Sequence, residues 1–187
     1  MSENQKETES FGSSVYTWLQ SLVVALCVLI LIFTFLARII GVDGSSMYPT
    51  LEDHDMLFLQ CVGYEPKQGD IVVLHKDFGE IRDPIVKRVI ALGGQTVDID
   101  YARNAVYVDG EKIDDSYLGE PMYPPGNPYM TGTHWDVPEG SIFVMGDNRN
   151  NSSDSRDERL GVIDKRYVIG HALFILFPFS HIGSVMH

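Results

Sequence analysis

Cysteine and positive charge are both scarce in this 187-residue sequence. Its two cysteines are Cys27, inside a long apolar stretch, and Cys61, well outside it, so no disulfide bond between them is expected. We interpret both as small apolar residues. The chain carries 14 Lys and Arg against 26 Asp and Glu, a formal net charge of −12 at pH 7. Such a surface repels phosphate backbones, which disfavours nucleic-acid binding.

The residue spacing of a metal site is also missing. None of the six histidines belongs to an H-E-x-x-H motif or another common ligand pattern. Asp147 and Glu158 occupy positions 1 and 12 of a calcium-binding loop. Arg149 at position 3 and Ser152 at position 6 break that pattern. We therefore predict no metal site.

One long apolar run is present, near the N-terminus. Residues 10–37 contain no charged side chain, and Trp18 to Ile40 supplies the roughly 20 residues that a membrane-spanning helix needs. Tyr16 and Trp18 suit the aromatic belt at a membrane interface. A cleaved secretory leader is the competing interpretation. It is opposed by the acidic preceding segment, by the length of the run and by Phe35, where a cleavage site needs a small residue.

We predict an N-terminal tail over residues 1–14 and an uncleaved transmembrane anchor over residues 15–40. Lys6 and Arg38 flank the run, one on each side, so the positive-inside rule does not settle its orientation. The later apolar run Ala172–Phe179 is too short to cross a bilayer, and we predict a buried strand there.

The remaining sequence is typical of a mainly β fold. Short segments rich in β-branched residues are bounded by Gly, Pro or Asp, which predicts strands at Asp70–Leu74, Ile85–Leu92, Thr96–Ile99, Ala105–Val108 and Ser141–Met145. Asp109-Gly110 predicts a tight hairpin turn. Prolines make the stretch from 117 to 140 loop-like. We predict a β-domain of residues 41–96 and 140–187, with a smaller inserted lobe over 97–139.

Three polar features stand out, and the first is the turn Gly41–Leu51 directly after the anchor. It places Ser46 among small residues, where a hydroxyl is exposed and backbone N–H groups converge on an oxyanion. The pattern is neither a G-x-S-x-G elbow nor an S-x-x-K motif. An ordinary Ser-rich loop is the alternative.

The second feature is Lys87, which lies within an otherwise apolar strand. Strand alternation puts Ile85, Val89 and Ala91 on the face of Lys87, and Val86, Arg88 and Ile90 on the opposite face. Burial of a lysine lowers its pKa, and a neutral amine acts as a general base. The alternative is an edge strand that carries two charges against aggregation.

The third feature is the polar segment Gly146–Arg156, which follows a predicted strand. Its Asp, Asn and Arg residues suit a rigid, hydrogen-bonded turn. We expect Asp147 to pair with Arg88 or Arg149, and Asp154 to pair with Arg156. A conventional Ser-His triad also stays open, with His54, His75 and His134 as candidate members.

Together these segments resemble, in order and spacing, the bacterial type I signal peptidases in their compact Gram-positive form. Gly44–Leu51 resembles the nucleophile box and Gln68–Val73 the strand that follows it. Lys87–Gly94 resembles the general-base box, and Gly146–Arg156 resembles the final box almost residue for residue. The resemblance implies a β-rich catalytic domain of the signal-peptidase kind, with an inserted β-lobe, behind a single transmembrane helix.

The resemblance also implies a role for each matching residue. Ser46 is the nucleophile and Lys87 the general base, while Ser152 hydrogen-bonds and orients the lysine amine. The backbone N–H of Ser46 contributes to the oxyanion hole, and Gly44 leaves the second donor unassigned. Substrate-binding residues are Val42, Gly44, Met47, Leu51, Val73, Ile85 and Val86. Structural support comes from Arg88, Gly146, Asp147, Asn151, Asp154 and Arg156.

The implied activity is the removal of N-terminal signal peptides from exported proteins, after small residues of the Ala-x-Ala type, without a metal or organic cofactor. The implied place is the cytoplasmic membrane, with a cytoplasmic tail and an extracytoplasmic catalytic domain. Partners would be signal peptides, the bilayer and the secretion translocon. Other possibilities remain: a peptidase dedicated to one surface or pilus substrate, a self-cleaving repressor-type protease, or a non-catalytic assembly factor.

Overall fold

The structure is a computed structural model and describes residues 3–31 and 37–185. Residues 32–36 of the predicted anchor, which include Phe35, lie outside the described residues. The chain divides into two compact units, residues 1–38 and residues 39–187. The first contains an α-helix, and the second has strands as its main regular structure, joined by long loops. The predicted mainly β fold behind one apolar helix is confirmed.

The helix α1 spans Glu3–Leu31. Within it, Ser13–Leu31 has a mean hydropathy of 2.0, and none of its residues is buried. Its hydroxyl groups bond within the helix, Thr17 Oγ1 to the carbonyl oxygen of Ser13 and Ser21 Oγ to that of Thr17. Such internal bonds leave fewer polar groups unsatisfied in an apolar medium. The length and composition are those of a membrane-spanning helix.

The larger sheet is antiparallel. Its strands are β1 (Ala37–Gly41), β2 (Met56–Gln60), β3 (Ile71–Leu74), β4 (Ile85–Leu92), β9 (Ser141–Met145), β10 (Ile163–Asp164), β11 (Val168–Phe177) and β12 (Gly183–Ser184). The spatial order is β1-β2-β11-β3-β4-β9-β10, and β12 pairs with β11. Segments far apart in sequence therefore become neighbours at the centre of the sheet.

The smaller sheet consists of β5 (Thr96–Asp100), β6 (Ala105–Val108), β7 (Glu111–Lys112) and β8 (His134–Asp136), in the order β7-β6-β5-β8. Asp109 and Gly110 join β6 to β7 with positive φ angles of 51° and 80°. Two positive φ angles are what a two-residue hairpin turn requires, so the predicted tight turn is confirmed.

One core cluster joins the two sheets. Ala91 and Phe143 of the larger sheet pack in it with Val97 and Val106 of the smaller sheet. The ring of Trp135 lies 5.0 Å from that of Phe143. This burial fixes the smaller sheet against β4 and β9, the strands that lead to the polar segments of interest.

Strand β4 carries Lys87 through the centre of the larger sheet, between β3 and β9. The edge-strand alternative is therefore wrong. The predicted alternation holds as far as Val89. Ile85 and Val89, which are predicted to share the face of Lys87, pack into the same core cluster. A bulge between Val89 and Ala91 then shifts the phase, so Ala91 packs with Ile90 and does not share the face of Lys87.

The buried strand predicted at Ala172–Phe179 is found as β11, but its bounds differ and it is buried on one side only. It begins earlier and ends at Phe177. Ala172 and Ile175 face the core, whereas the rings of Phe174 and Phe177 are about half exposed, at 44% and 52%. The sheet covers only one side of this end of β11, so the apolar run has an open face.

Candidate active site

The side chains of Ser46 and Lys87 meet at the centre of the larger sheet. The Lys87 amine Nζ lies 2.7 Å from Ser46 Oγ and donates a second hydrogen bond of 2.8 Å to the carbonyl oxygen of Val86. Lys87 is only 2% exposed. Strand β4 brings the lysine from one side, and the turn after β1 brings the serine from the other. A hydroxyl and an amine thus lie within proton-transfer distance.

The surroundings of Lys87 favour its neutral form. Burial is the largest effect on its pKa, and it outweighs the opposing attraction of the Asp154 and Asp147 carboxylates. The net result lowers the pKa of Lys87 from 10.5 to about 8. A lysine with this pKa is partly deprotonated near neutral pH and accepts a proton readily.

None of the three candidate histidines lines the cleft around Ser46 in the described part of the chain. His54 lies beside Asp53, His134 beside Asp98 and His75 beside the carbonyl oxygen of Arg82. Among residues 3–31 and 37–185, no group of three His, Cys, Asp or Glu side chains is placed to hold a metal ion. Lys87 is therefore the candidate base that contacts Ser46 directly.

The turn that carries Ser46 is fixed by hydrogen bonds from both sides. The N–H of Gly44, whose φ is +88°, donates to Asp53 Oδ1 at 2.8 Å. The backbone N–H of Asn148 donates to the carbonyl oxygen of Ser46 at 3.0 Å. Asn151 Nδ2 donates to Ser45 Oγ at 3.0 Å. The segment Gly146–Arg156 thus holds the serine turn in place.

Gly146 makes this close approach possible. A Cβ atom at this position would collide with Ser152 Oγ and with the carbonyl oxygen of Ser46. Only glycine therefore lets the segment pass so near the serine turn.

Ser152 lies in the same cleft, but the predicted bond to Lys87 is not formed. Its Oγ is buried and makes no hydrogen bond of good geometry within the described residues. The Lys87 amine is instead engaged by Ser46 and by the carbonyl oxygen of Val86. The Ser152 hydroxyl instead interacts with the Asp154 carboxylate and helps to lower the pKa of Asp154, and its oxygen can still accept a hydrogen bond.

Two buried Arg-Asp pairs hold the surrounding chain. Arg88 donates from Nε and Nη2 to the Asp147 carboxylate at 2.8 and 2.7 Å, so Arg88 is the partner found for Asp147. Arg156 makes the same two-pronged contact with Asp154, both bonds at 2.9 Å. Burial opposes ionisation of Asp154, yet Arg156 keeps the pKa of Asp154 below its ordinary value.

Arg149, the other expected partner of Asp147, reaches across to the segment that follows β7. Its Nη2 donates to Asp115 Oδ1 at 2.7 Å and to the Tyr117 hydroxyl at 2.9 Å. The Tyr117 ring in turn lies 4.2 Å from the Arg88 guanidinium. Residues from the predicted lobe thus contact the charged pairs behind the serine turn.

An open cleft of about 710 Å³ surrounds Ser46 and Lys87. Of the predicted substrate-binding residues, Gly44 and Ile85 line it. The other five do not line the cleft, because they are packed together in a single core cluster: Val42, Met47, Leu51, Val73 and Val86. Four of the five lie within five residues of Ser46 or Lys87 in sequence, and Val73 pairs with Val86 on the neighbouring strand. Together they make an apolar support for the site.

The sequence analysis did not predict one wall of the cleft. The segment 123–130 lines it, together with Asn150 and Ser153. Asn150 Oδ1 accepts from the N–H of Tyr123 at 2.8 Å, and the N–H of Glu158 donates to the carbonyl oxygen of Tyr129 at 2.8 Å. The only sequence signal was a run of prolines, which marks a loop without showing where it packs.

Curated proteins similar to this chain are signal peptidases. The "Signal peptidase I" of Bacillus licheniformis is 39% identical over 185 residues, which cover 95% of this chain and 97% of that protein. The "Probable signal peptidase I-1" of Synechocystis sp. is 39% identical over 176 residues, covering 88% and 83%. A crystal structure of a signal peptidase I from Enterococcus faecalis is 24% identical, covers 58% of this chain and 97% of its own, and has a TM-score of 0.43.

A family model described as "Signal peptidase, peptidase S26" matches residues 15–177, which include most of the apolar segment Ser13–Leu31 and every residue of the cleft. The match agrees with the curated relatives over nearly the whole chain. This chain belongs to the signal peptidase family, peptidase S26.

Proposed function

We propose that this chain is a membrane-anchored serine endopeptidase that removes signal peptides from exported preproteins. The observation that carries the proposal is the 2.7 Å contact between the Lys87 amine and Ser46 Oγ, in a setting that lowers the pKa of Lys87 to about 8. Family membership adds the substrate class, since the related proteins are named signal peptidase I.

In the proposed reaction, Lys87 takes the proton of Ser46 while Ser46 Oγ attacks the carbonyl carbon of the scissile peptide. The backbone N–H of Ser46 donates to the oxyanion that forms. The Lys87 ammonium then gives its proton to the leaving amine, which frees the mature protein and leaves the signal peptide as an ester on Ser46. Lys87 next activates a water molecule that hydrolyses this ester.

Ser152 has a defined part in this sequence as a positioning residue. Its Oγ makes no hydrogen bond to Lys87 in the resting site, where its contact is with the Asp154 carboxylate. It is available to accept a hydrogen bond from Lys87 once Ser46 has lost its proton and the amine is an ammonium ion. That bond would hold the ammonium near the leaving group.

We assign substrate contacts to Gly44 and Ile85 at the cleft surface, and we assign to the five core residues the role of apolar support behind that surface. The preference for small side chains, as in Ala-x-Ala, is proposed from family membership. Arg88, Asp147, Asn151, Asp154 and Arg156 would support the serine turn without touching the substrate.

We place the enzyme in the cytoplasmic membrane, with Ser13–Leu31 as a single-pass anchor and the β-unit on the extracytoplasmic side. Signal peptides emerge from the bilayer at the translocon, so a site tethered to the membrane meets them there. The exposed rings of Phe174, Phe177 and Phe179 supply an apolar surface for lipid contact.

The test is cleavage of a purified preprotein with an Ala-x-Ala site, in phospholipid, with product masses determined. We expect wild type to cut after the second Ala, and Ser46→Ala and Lys87→Ala to lose about 10³-fold or more in rate. Lys112→Ala, an exposed lysine outside the cleft, is the matched control and should cleave normally.

Full activity in Lys87→Ala would show that the base is wrong. Failure of wild type to cut any general preprotein would move the assignment to a dedicated substrate or an assembly role. The contact between Ser46 and Lys87 argues against the assembly role, because a non-catalytic protein has no need to keep both groups together.

A further inference from the structure

The cleft around Ser46 and Lys87 is lined by two carboxylates that have no paired cation among the described residues. Asp43 and Asp83 both line it and both are exposed. Neither side chain makes a hydrogen bond or an ion pair with any other of the described residues. The two carboxylates therefore face the space where a substrate lies.

The cations that line the cleft are not paired with these carboxylates. Lys87 is only 2% exposed, and its amine is held by Ser46 Oγ and by the carbonyl oxygen of Val86. Arg149 has a side chain that is only 1% exposed and is already paired with Asp115 at 2.7 Å. A bound peptide thus meets two free carboxylates and no free cation among the described lining residues.

The two carboxylates approach the cleft from different parts of the chain. Asp43 stands three residues before Ser46, at the start of the serine turn, and Asp83 stands four residues before Lys87, just ahead of β4. An extended peptide that presents its scissile bond to Ser46 passes both segments.

We propose that Asp43 and Asp83 make this cleft select substrates with basic rather than acidic side chains close to the scissile bond. The proposal rests on the peptidase function proposed above and adds a charge preference to it. The reach of the effect follows from screening. The Debye length is about 10 Å at 0.1 M salt, and an extended chain advances about 3.3 Å per residue. Roughly three residues on each side of the scissile bond lie within that range.

The test uses the full-length protein in non-ionic detergent with peptides that share one Ala-x-Ala site. Each peptide carries Lys, Gln or Glu at a single position within three residues of the cut. The measured quantity is the ratio of kcat/KM for the Lys peptide to that for the Glu peptide. Because both peptides are compared on the same enzyme variant, a change in the basicity of Lys87 cancels from the ratio.

In wild type we expect a ratio well above 1 for at least one position at low salt. Asp43→Asn and Asp83→Asn should each lower that ratio by about two- to five-fold, the range for exposed charge pairs. Salt at 1 M, where the Debye length is about 3 Å, should bring the wild-type ratio close to 1.

Glu111→Gln is the matched control, because Glu111 is exposed on the β6–β7 hairpin and outside the cleft. An equal fall of the ratio in this variant would show that the net charge of the chain acts, not the cleft, and would overturn the proposal. Equal cleavage of Lys and Glu peptides by wild type would also overturn it while leaving the peptidase function intact. Cleavage of no peptide at all would refute the peptidase function itself.

Discussion

The amine of Lys87 is subject to three influences on its charge. The surrounding core disfavours the ammonium form, whereas the carboxylates of Asp154 and Asp147 favour it. Arg88 and Arg156 hold those two carboxylates in direct pairs, which limits their effect on the amine. The balance leaves a base with a pKa of about 8, close enough to neutral pH for the amine to accept a proton.

The pH dependence of cleavage tests this balance. Only neutral Lys87 accepts the proton of Ser46, so kcat/KM for an Ala-x-Ala peptide should rise with pH through an apparent pKa of about 8. Below that point we expect a fall of about tenfold per pH unit. An apparent pKa in this profile near about 6.5, the ordinary pKa of histidine, would contradict a lysine base.

Gly146 sets the distance between the final polar segment and the serine turn. Gly146→Ala would drive a methyl group into Ser152 Oγ and the Ser46 carbonyl oxygen. Displacing the serine turn by about 1 Å should reduce kcat about 10²-fold. Gly126→Ala is the matched control, since Gly126 lines the same cleft and a Cβ there meets nothing within 4 Å. Equal activity in the two variants would show that the close approach is not required.

The segment Gly146–Arg156 owes its rigidity to a local motif that recurs later in the chain. Asp154 and Arg156, two residues apart, form a pair that is almost completely buried, with side chains 0% and 1% exposed. Asp164 and Arg166 form the same two-residue pair at the surface, where Arg166 is 86% exposed. The same local chemistry thus occurs in two dielectric environments.

This pair of motifs gives a matched comparison. Asp154→Asn leaves the buried Arg156 without its counter-charge, and we expect a loss of about 3–5 kcal/mol in the free energy of unfolding. Asp164→Asn should leave the unfolding curve close to that of wild type, because water solvates the exposed Arg166. Urea unfolding monitored by circular dichroism measures both. Equal losses would contradict the assigned effect of burial.

Asp154→Asn should also change the pH profile of any folded fraction. The Asp154 carboxylate raises the pKa of Lys87. Removing its charge should therefore lower the apparent pKa in the pH profile of kcat/KM below 8. A shift to higher pH would contradict this electrostatic assignment.

Local signals predicted six of the twelve strands in the described part of the chain. β-Branched runs identified β4 and β9, and the Asp-Gly pair identified the turn after β6. The open face of β11 and the bulge after Val89 were not predictable, because both depend on which strands pack on either side. The wall at 123–130 was missed for the same reason, since proline marks a loop but not its neighbours.

In the whole molecule, Ser46 and Lys87 are 41 residues apart and meet only through the order of the strands. The resemblance to signal peptidases predicted their roles residue by residue, but no spacing rule gives a distance between them. Five residues that the resemblance assigned to substrate pockets belong to a core cluster, which shows how far roles can be carried over from a family by sequence alone. A sequence match marks positions near a site without showing which of them reach its surface.

The exposed aromatic end of β11 provides a prediction about the membrane. Phe177 and Phe179 are 52% and 79% exposed, and their rings lie 5.6 Å apart. In proteoliposomes, replacing both by Ser should slow preprotein processing about tenfold, because apolar area for lipid contact is lost. Cleavage of a soluble peptide in detergent should not change. Val62→Ser, at another exposed apolar position, is the control, and equal slowing there would contradict a lipid-facing role.

Chemical rescue at position 87 tests the role of the lysine amine most directly. In a background with Cys27→Ala and Cys61→Ala, Lys87→Cys should be inactive. Treatment with 2-bromoethylamine makes the thiolate displace bromide and form a C–S bond, which leaves a primary amine at the end of a side chain of nearly lysine length. We expect signal-peptide cleavage to return in proportion to the modification measured by mass spectrometry. Full modification without activity, or activity in Lys87→Cys before treatment, would contradict Lys87 as the general base.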